Sequence, residues 1–312
     1  MDDEFVRTAE SVLGRSPTGT DALHELEWVP SLDLTDEYSA ESFSALFRAQ
    51  GRSLATTPAL AVLIAHQLGV TEGPQDLGTT ASYQARRHGE RVAATLSRAC
   101  TQADRIVVDI GEETLFVGSP AIFSEDGTQP LDPSCVNMTA AISALEPVAV
   151  DEIGARRVEA QRVARLACAL EMLGVCEHLM QLAVSYAIDR TQFGAPIGSF
   201  PALQQLLAAA EVEVVGLRNG CAVVMGEQVR AHDPEPRHDA MLVKALAGRV
   251  SRRVTQATLQ VLGAVGFTWE HDHHRYQRRA LTLDALFGSY HELVTVLGAV
   301  PTDAPLRRVG VM

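Results

Sequence analysis

From Glu152 to Asp189 the sequence runs without a proline, and its apolar residues recur at helical spacing. Val163, Leu166, Leu170, Leu173, Leu179 and Leu182 lie three or four apart, and Cys176 fills the one gap. A stripe this long must be covered by other elements. The chain supplies them in order. A loop from Arg190 to Pro201 holds Gly194, Pro196, Gly198 and Pro201. Helical patterns then cover about 202–231, 240–262, 275–286 and 290–297, with Gly263 and Gly266 ending the third helix of the series. Successive amphipathic helices of this length predict a helical bundle over residues 151–312.

The 312 residues allow two or three packed domains. Residues 1–89 read as a helical domain with interruptions. Ser39–Ala49 and Thr57–Leu68 are rich in Ala and Leu, and Pro58 marks a helix start. Thr20 or Asp21 is the expected cap of a short helix carrying Leu23 and Leu26, which Pro30 stops. Pro17 marks a turn. Residues 90–150 change character. Arg105–Asp109 and Glu113–Gly118 are β-branched runs either side of a short turn, predicting a hairpin or meander. Asp126-Gly127 and Leu131–Ser134 signal further turns. The fold class is therefore mainly α with a middle β-domain. No internal repeat or low-complexity segment interrupts it.

Charge limits the partners. Lys plus Arg total 26 against 39 Asp plus Glu, for a formal charge of −13, and no basic tract is dense enough to follow nucleic acid. The apolar run Pro58–Val70 is too short and too broken to span a bilayer. The start, Met1-Asp2-Asp3-Glu4, lacks the basic and apolar parts of a signal peptide. Cys100, Cys135, Cys168, Cys176 and Cys221 are odd in number and scattered, as expected of reduced cytoplasmic thiols. The run Glu270-His271-Asp272-His273-His274 has no second cluster to complete a metal shell, so no metal site is expected. No Gly-x-x-x-x-Gly-Lys loop, Gly-x-Ser-x-Gly elbow or His-Glu-x-x-His motif occurs.

Two strings carry more information. One is Arg190-Thr191-Gln192-Phe193-Gly194-Ala195-Pro196-Ile197-Gly198-Ser199-Phe200; the other is Gln260-Val261-Leu262-Gly263-Ala264-Val265-Gly266-Phe267-Thr268. Read alone they are helix ends and Gly-rich connections. Together, in this order and separation, the chain resembles the acyl-CoA dehydrogenase family, closely from about Ala149 to Ala299 and weakly before. The resemblance implies an N-terminal helical domain, a reduced middle β-domain and a C-terminal four-helix bundle. It also implies FAD chemistry, in which a carboxylate removes the α proton of an acyl-CoA thioester and flavin N5 accepts hydride from Cβ.

By that resemblance, Arg190, Phe193, Gln260, Gly263 and Ala264 are the cofactor-binding positions. Arg190 would meet the pyrophosphate of an FAD held mainly by a neighbouring subunit, and Phe193 would pack near its adenosine. Gln260 and the Gly263 turn would approach the same pyrophosphate, with Ala264 standing where the family has a second glycine. The family's catalytic Glu falls on Phe287 or Gly288. Its alternative place, on the first bundle helix, falls near Ala164 and Arg165. None is a carboxylate. The family's flavin-contacting Thr-Glu-x-x-x-Gly-Ser-Asp stretch is missing; Ser124–Thr128 is the nearest fragment. No catalytic residue is therefore assigned.

Retentions and losses separate: contacts to a neighbour's cofactor are kept, and the chain's own machinery is lost. That division resembles the non-catalytic subunit of actinobacterial α2β2 dehydrogenases acting on steroid CoA thioesters. The implied partner is a catalytic acyl-CoA dehydrogenase subunit that binds most of the acyl-CoA. Two alternatives remain. One is a self-sufficient homomer with a base relocated to Asp284, His291 or Glu292; the other is a non-enzymatic scaffold.

Overall fold

The structure is a computed structural model, and it describes residues 3–15, 20–26, 28, 34, 36–71, 76–230 and 238–299. Pro17 and Pro30 lie outside the described residues. Four helices come first: α1 (Asp3–Arg15), α2 (Asp21–Glu25), α3 (Glu37–Ser53) and α4 (Ala59–Gln67). Asp36 caps α3, its carboxylate accepting from the Ser39 amide at 2.9 Å. Thr20 precedes α2, yet its side chain makes no capping bond.

The strands follow: β1 (Thr79–Ala81), β2 (Gln84–His88), β3 (Arg91–Ser97), β4 (Arg105–Val108), β5 (Thr114–Gly118), β6 (Ser124–Glu125), β7 (Cys135–Ala141) and β8 (Glu146–Ala149). They form two four-stranded sheets, ordered β1-β4-β5-β8 and β2-β3-β7-β6. Only the β1–β4 pair is parallel. The expected hairpin is β4 against β5, with Val107 opposite Val117. Val92, Leu96, Ile106, Val108, Val136 and Met138 form the apolar filling of this part. The sheets begin earlier than the sequence suggests, since β1 and β2 precede residue 90.

The remaining elements are α5 (Ile153–Asp189), the short hairpin β9 (Thr191–Gln192) and β10 (Ala195–Pro196), α6 (Pro201–Arg230), α7 (Asp239–Leu262), α8 (His273–Ala285) and α9 (Tyr290–Gly298). The helix α5 is the axis of the molecule, packing against α3, α4, α6, α7 and α8. By length and composition it passes as a membrane span, but 78% of its apolar window is buried inside the fold, as in the core helix of a soluble protein. The helix that passes this test is α5, not the run Pro58–Val70.

Helices α3 and α5 touch backbone to backbone. A Cβ on Gly51 would stand 2.0 Å from the Glu171 carbonyl oxygen, and one on Gly174 would stand 2.0 Å from that of Arg48. Only two glycines allow that approach. Charged side chains flank the crossing. Buried Glu177 accepts from Arg48 of α3 at 2.7 Å and from Arg218 of α6 at 3.0 Å. Lys244, the only lysine, is fully buried on α7 and donates to the carbonyls of Asp284 and Gly288 at 3.1 and 3.3 Å. It thereby holds the turn between α8 and α9.

Candidate functional site

The two informative strings lie at one end of the bundle. Arg190 closes α5, its amide donating to the Tyr186 carbonyl, and Gln260 sits in the last turn of α7. A small apolar cluster joins them: Ala183 and Ala187 of α5 pack with Val261 of α7, beside Tyr186, Ile197 and Leu203. Residues 70 positions apart in sequence therefore form one outer surface.

Phe193 and Gly194 connect β9 to β10, at φ of +53° and +80°. Two consecutive residues at positive φ are what a type I′ hairpin turn requires. Gly adopts that conformation freely. For a bulky Phe it costs on the order of 1–2 kcal/mol. The strain does not serve burial, because Phe193 is 94% exposed, with only an edge contact to the Phe200 ring at 6.2 Å. Arg190 and Gln260 are exposed, and neither side chain has a polar partner among the described residues. Gly263 ends α7 at φ +59°, ψ −136°, a region open to glycine alone. Gly266 is needed for space: a Cβ there would meet Leu259 at 2.8 Å and Leu262 at 3.0 Å. Ala264 lies exposed between them.

The positions expected for a base lie elsewhere, where α5, α8 and the sheets meet. Phe287 stands at φ +58° in the turn between α8 and α9. Its ring meets Tyr83 edge-on at 6.3 Å, and its carbonyl accepts from Arg165 at 2.9 Å. Ala164 is buried. The cavity beside these residues measures only ≈ 20 Å³, with Tyr83, Ser97, Glu171, Arg279 and Leu286 among its walls. That is room for about one water molecule.

An ionic cluster stands at its wall. Arg279 of α8 donates to Asp132, to Glu171 at 2.6 Å and to the Ala55 carbonyl at 3.1 Å. Glu171 also accepts from Gln50 at 2.9 Å, and Gln50 in turn accepts from Thr57 at 2.6 Å. All three charged groups are buried. Burial opposes the charge of Arg279, but Glu171 and Asp132 overcome it and hold the guanidinium protonated. Burial also pushes the Glu171 carboxyl up, against the pull of Arg279. Sequence reasoning missed this cluster. Its one local signal is Glu171 itself, a carboxylate on the apolar stripe of α5.

The other carboxylates have structural roles. Asp284 accepts from the Tyr290 amide at 3.1 Å and lies 3.7 Å from Arg252. Glu292 completes a capping box with Ser289 at the start of α9, which lowers its pKa. His291 is exposed beside Arg252. In the His-rich turn, His273 points inward onto Thr258 and His274 lies against Trp269. Among the described residues no group of three His, Cys, Asp or Glu converges as a metal requires. The five cysteines are unbridged and buried. Burial raises their thiol pKa values, Cys135 to about 11 and Cys100 to about 12, which removes them as nucleophiles.

The description "Acyl-CoA dehydrogenase, C-terminal domain" matches residues 157–296. Acyl-CoA dehydrogenase IpdE2 of Mycolicibacterium smegmatis is 26% identical, over 95% of this chain and 92% of that protein. Two acyl-CoA dehydrogenases of Mycobacterium tuberculosis match at 32% and 34% identity, but the aligned stretch spans only 23% and 42% of their length. Among solved structures, the "Tcur3481-Tcur3483 steroid ACAD G363A variant" superposes with a TM-score of 0.74 at 20% identity, over 95% of this chain and 96% of that one. The ChsE4-ChsE5 complex from Mycobacterium tuberculosis gives 0.73 at 19%, over 97% and 98%. Both strings lie within the matched residues 157–296, so this part of the chain resembles the C-terminal domain of acyl-CoA dehydrogenases, and the fold as a whole resembles that of the two solved structures.

Proposed function

We propose that this chain is a non-catalytic subunit of a FAD-dependent acyl-CoA dehydrogenase that desaturates the Cα–Cβ bond of a bulky, steroid-like acyl-CoA thioester. Its contribution is made in trans. Arg190 holds the pyrophosphate of a flavin seated mainly in a catalytic partner, and Phe193 packs on the adenosine. Gln260 and the Gly263–Ala264 turn lie along the same tail. When bound, the flavin supplies the hydride acceptor; the proton is removed by the partner's carboxylate.

One observation carries the reading: the groups at the outer end are exposed and lack polar partners, while the inner cavity is small. An unengaged guanidinium, an exposed amide and a glycine turn suit a diphosphate approached from outside. A cavity of ≈ 20 Å³ does not fit an isoalloxazine. The names of two similar structures add support, one a steroid enzyme named by two proteins, the other a two-protein complex. The rival reading, a self-sufficient enzyme, has one candidate base in Glu171, the carboxylate on the cavity wall. Its ion pair with Arg279 and the small size of the cavity weigh against that role.

Co-expression with a catalytic acyl-CoA dehydrogenase from the same source tests the proposal. The expected result is a colourless chain alone and a yellow complex with one FAD per pair of unlike chains. Arg190→Ala is expected to lower flavin retention by about tenfold or more, since a charge-assisted hydrogen bond contributes roughly 1.5–3 kcal/mol. A yellow, active homo-oligomer, or unchanged flavin content in Arg190→Ala, overturns it.

A further inference from the structure

Each four-stranded sheet has two edges, and three of the four edges are blunted. β1 is three residues long and buried beside α4. β6 is two residues long. β8 carries Pro147, which has no amide hydrogen to offer a neighbour. β2 is different. Its five residues pair antiparallel with β3 on one side, and no strand lies on the other among the described residues. All but Ala85 are exposed. The outward amides and carbonyls of such a strand are a template for one more.

The side chains select what can add there. Ala85 packs against the apolar filling of Val92, Leu96 and Met138, so strand alternation puts Gln84, Arg86 and His88 on the opposite face. Gln84 donates to the Ala285 carbonyl at 3.2 Å, which anchors one end of the strand. Arg91 of β3 stands opposite His88 on the same face, diagonal to Arg86. The side chains of Arg86 and His88 have no polar partner among the described residues. Arg91 donates to the Thr139 hydroxyl at 2.6 Å and has no carboxylate within ion-pair distance among the described residues. Arg87, on the Ala85 face, is engaged by Glu112 at 3.2 Å and by the Gly89 carbonyl at 3.1 Å. This corner is therefore cationic in a chain of formal charge −13. Arginines on one face repel a second copy pairing edge to edge, and they attract a strand that carries carboxylates at alternate positions.

We propose that β2 is a docking edge, to which an extended acidic segment of a partner protein adds as a fifth strand. The main chain of that segment pairs with β2, and its carboxylates meet Arg86, His88 and Arg91. Backbone pairing supplies affinity and the cationic face supplies selection. The proposal is independent of the flavin reading, since none of these residues belongs to the outer turns.

Fluorescence anisotropy of a labelled peptide, Glu-Thr-Glu-Thr-Glu-Thr-Glu, titrated with the full chain tests the proposal, together with amide hydrogen exchange of the same mixture. Saturable binding is expected, with slowed exchange over Gln84–His88. Binding should weaken about tenfold or more in Arg86→Glu/Arg91→Glu, with the urea midpoint of the variant unchanged. The peptide Glu-Thr-Glu-Pro-Glu-Thr-Glu, whose central proline breaks the ladder, should bind weakly and leave the β2 amides unprotected. No saturable binding overturns the proposal. So does equal binding of the proline peptide, binding without protection of β2, or equally tight binding of heparin, each of which would make the corner a general polyanion patch.

Discussion

The outer turns and the inner cluster treat polar and strained groups in opposite ways. Inside, each charge is matched: Arg279 has two carboxylates and a carbonyl, and Glu171 has Arg279 and Gln50. Outside, Arg190 and Gln260 hold nothing among the described residues, and Phe193 is held in a costly conformation while facing solvent. Buried polar groups must be paired for the chain to fold. Exposed ones need not be, so an aromatic held there under strain points to something outside the monomer. A satisfied network therefore reports on stability, and an unsatisfied, strained surface reports on binding.

The sharpest way to break that contrast is to remove Arg279. Arg279→Leu leaves Glu171 and Asp132 buried without their cation, a change that typically costs about 3–5 kcal/mol. Urea unfolding should show a loss of that size, partly recovered in the double variant Arg279→Leu/Glu171→Gln, which removes one stranded charge. Arg190→Ala should stay within about 0.5 kcal/mol of the parent, as surface changes usually do. Equal losses at the two arginines would erase the distinction.

Legibility in the sequence divides along the same line. The bundle helices could be read because α5 carries an unbroken apolar stripe and the next helices are separated by Gly and Pro. The two outer strings stand out in the sequence because each is contiguous. The start of the sheets could not: β1 is three small residues, and β2, Gln84–His88, is mostly polar and mostly exposed, without apolar alternation. The inner cluster was hidden for another reason. Arg279 lies 108 residues from Glu171 and 147 from Asp132, and no local pattern marks such a pair.

Between the two regions, pH should act through His273, which links α8 to α7 below the outer turn. The Thr258 hydroxyl donates to the Val254 carbonyl at 2.8 Å, so it accepts from His273 Nε2 at 3.0 Å. Nδ1 is buried with no partner among the described residues. Protonation there would place a charge in the core, and burial pushes the His273 pKa down to about 4 from 6.5. Between those values the unfolded chain binds a proton that the native chain refuses. Stability is therefore complete above pH 6.5, falls as pH drops towards 4 and levels off below it, with a total of up to about 3 kcal/mol. His273→Gln should flatten that slope when urea midpoints are compared at pH 7 and pH 4.5. An unchanged slope would place the acid sensitivity elsewhere, with His66 and His178, whose pKa values burial also lowers.

The smallest effect is also the most discriminating, because its sign differs between the two regions. Inside, replacing a large aromatic by a polar residue destabilises. At Phe193 the opposite is expected. Asn tolerates positive φ, and Asn-Gly is the pair that a type I′ turn prefers, so Phe193→Asn creates the favoured sequence with Gly194. It relieves the strain of the left-handed Phe and forfeits only the edge contact with Phe200. The net gain should be about 1 kcal/mol in urea unfolding of the chain alone. The same variant should retain less flavin in the complex, since the ring proposed to pack on the adenosine is gone. A gain in fold stability joined to a loss of flavin identifies a residue kept for a ligand at the expense of its own turn; a loss of stability would make Phe193 an ordinary structural residue.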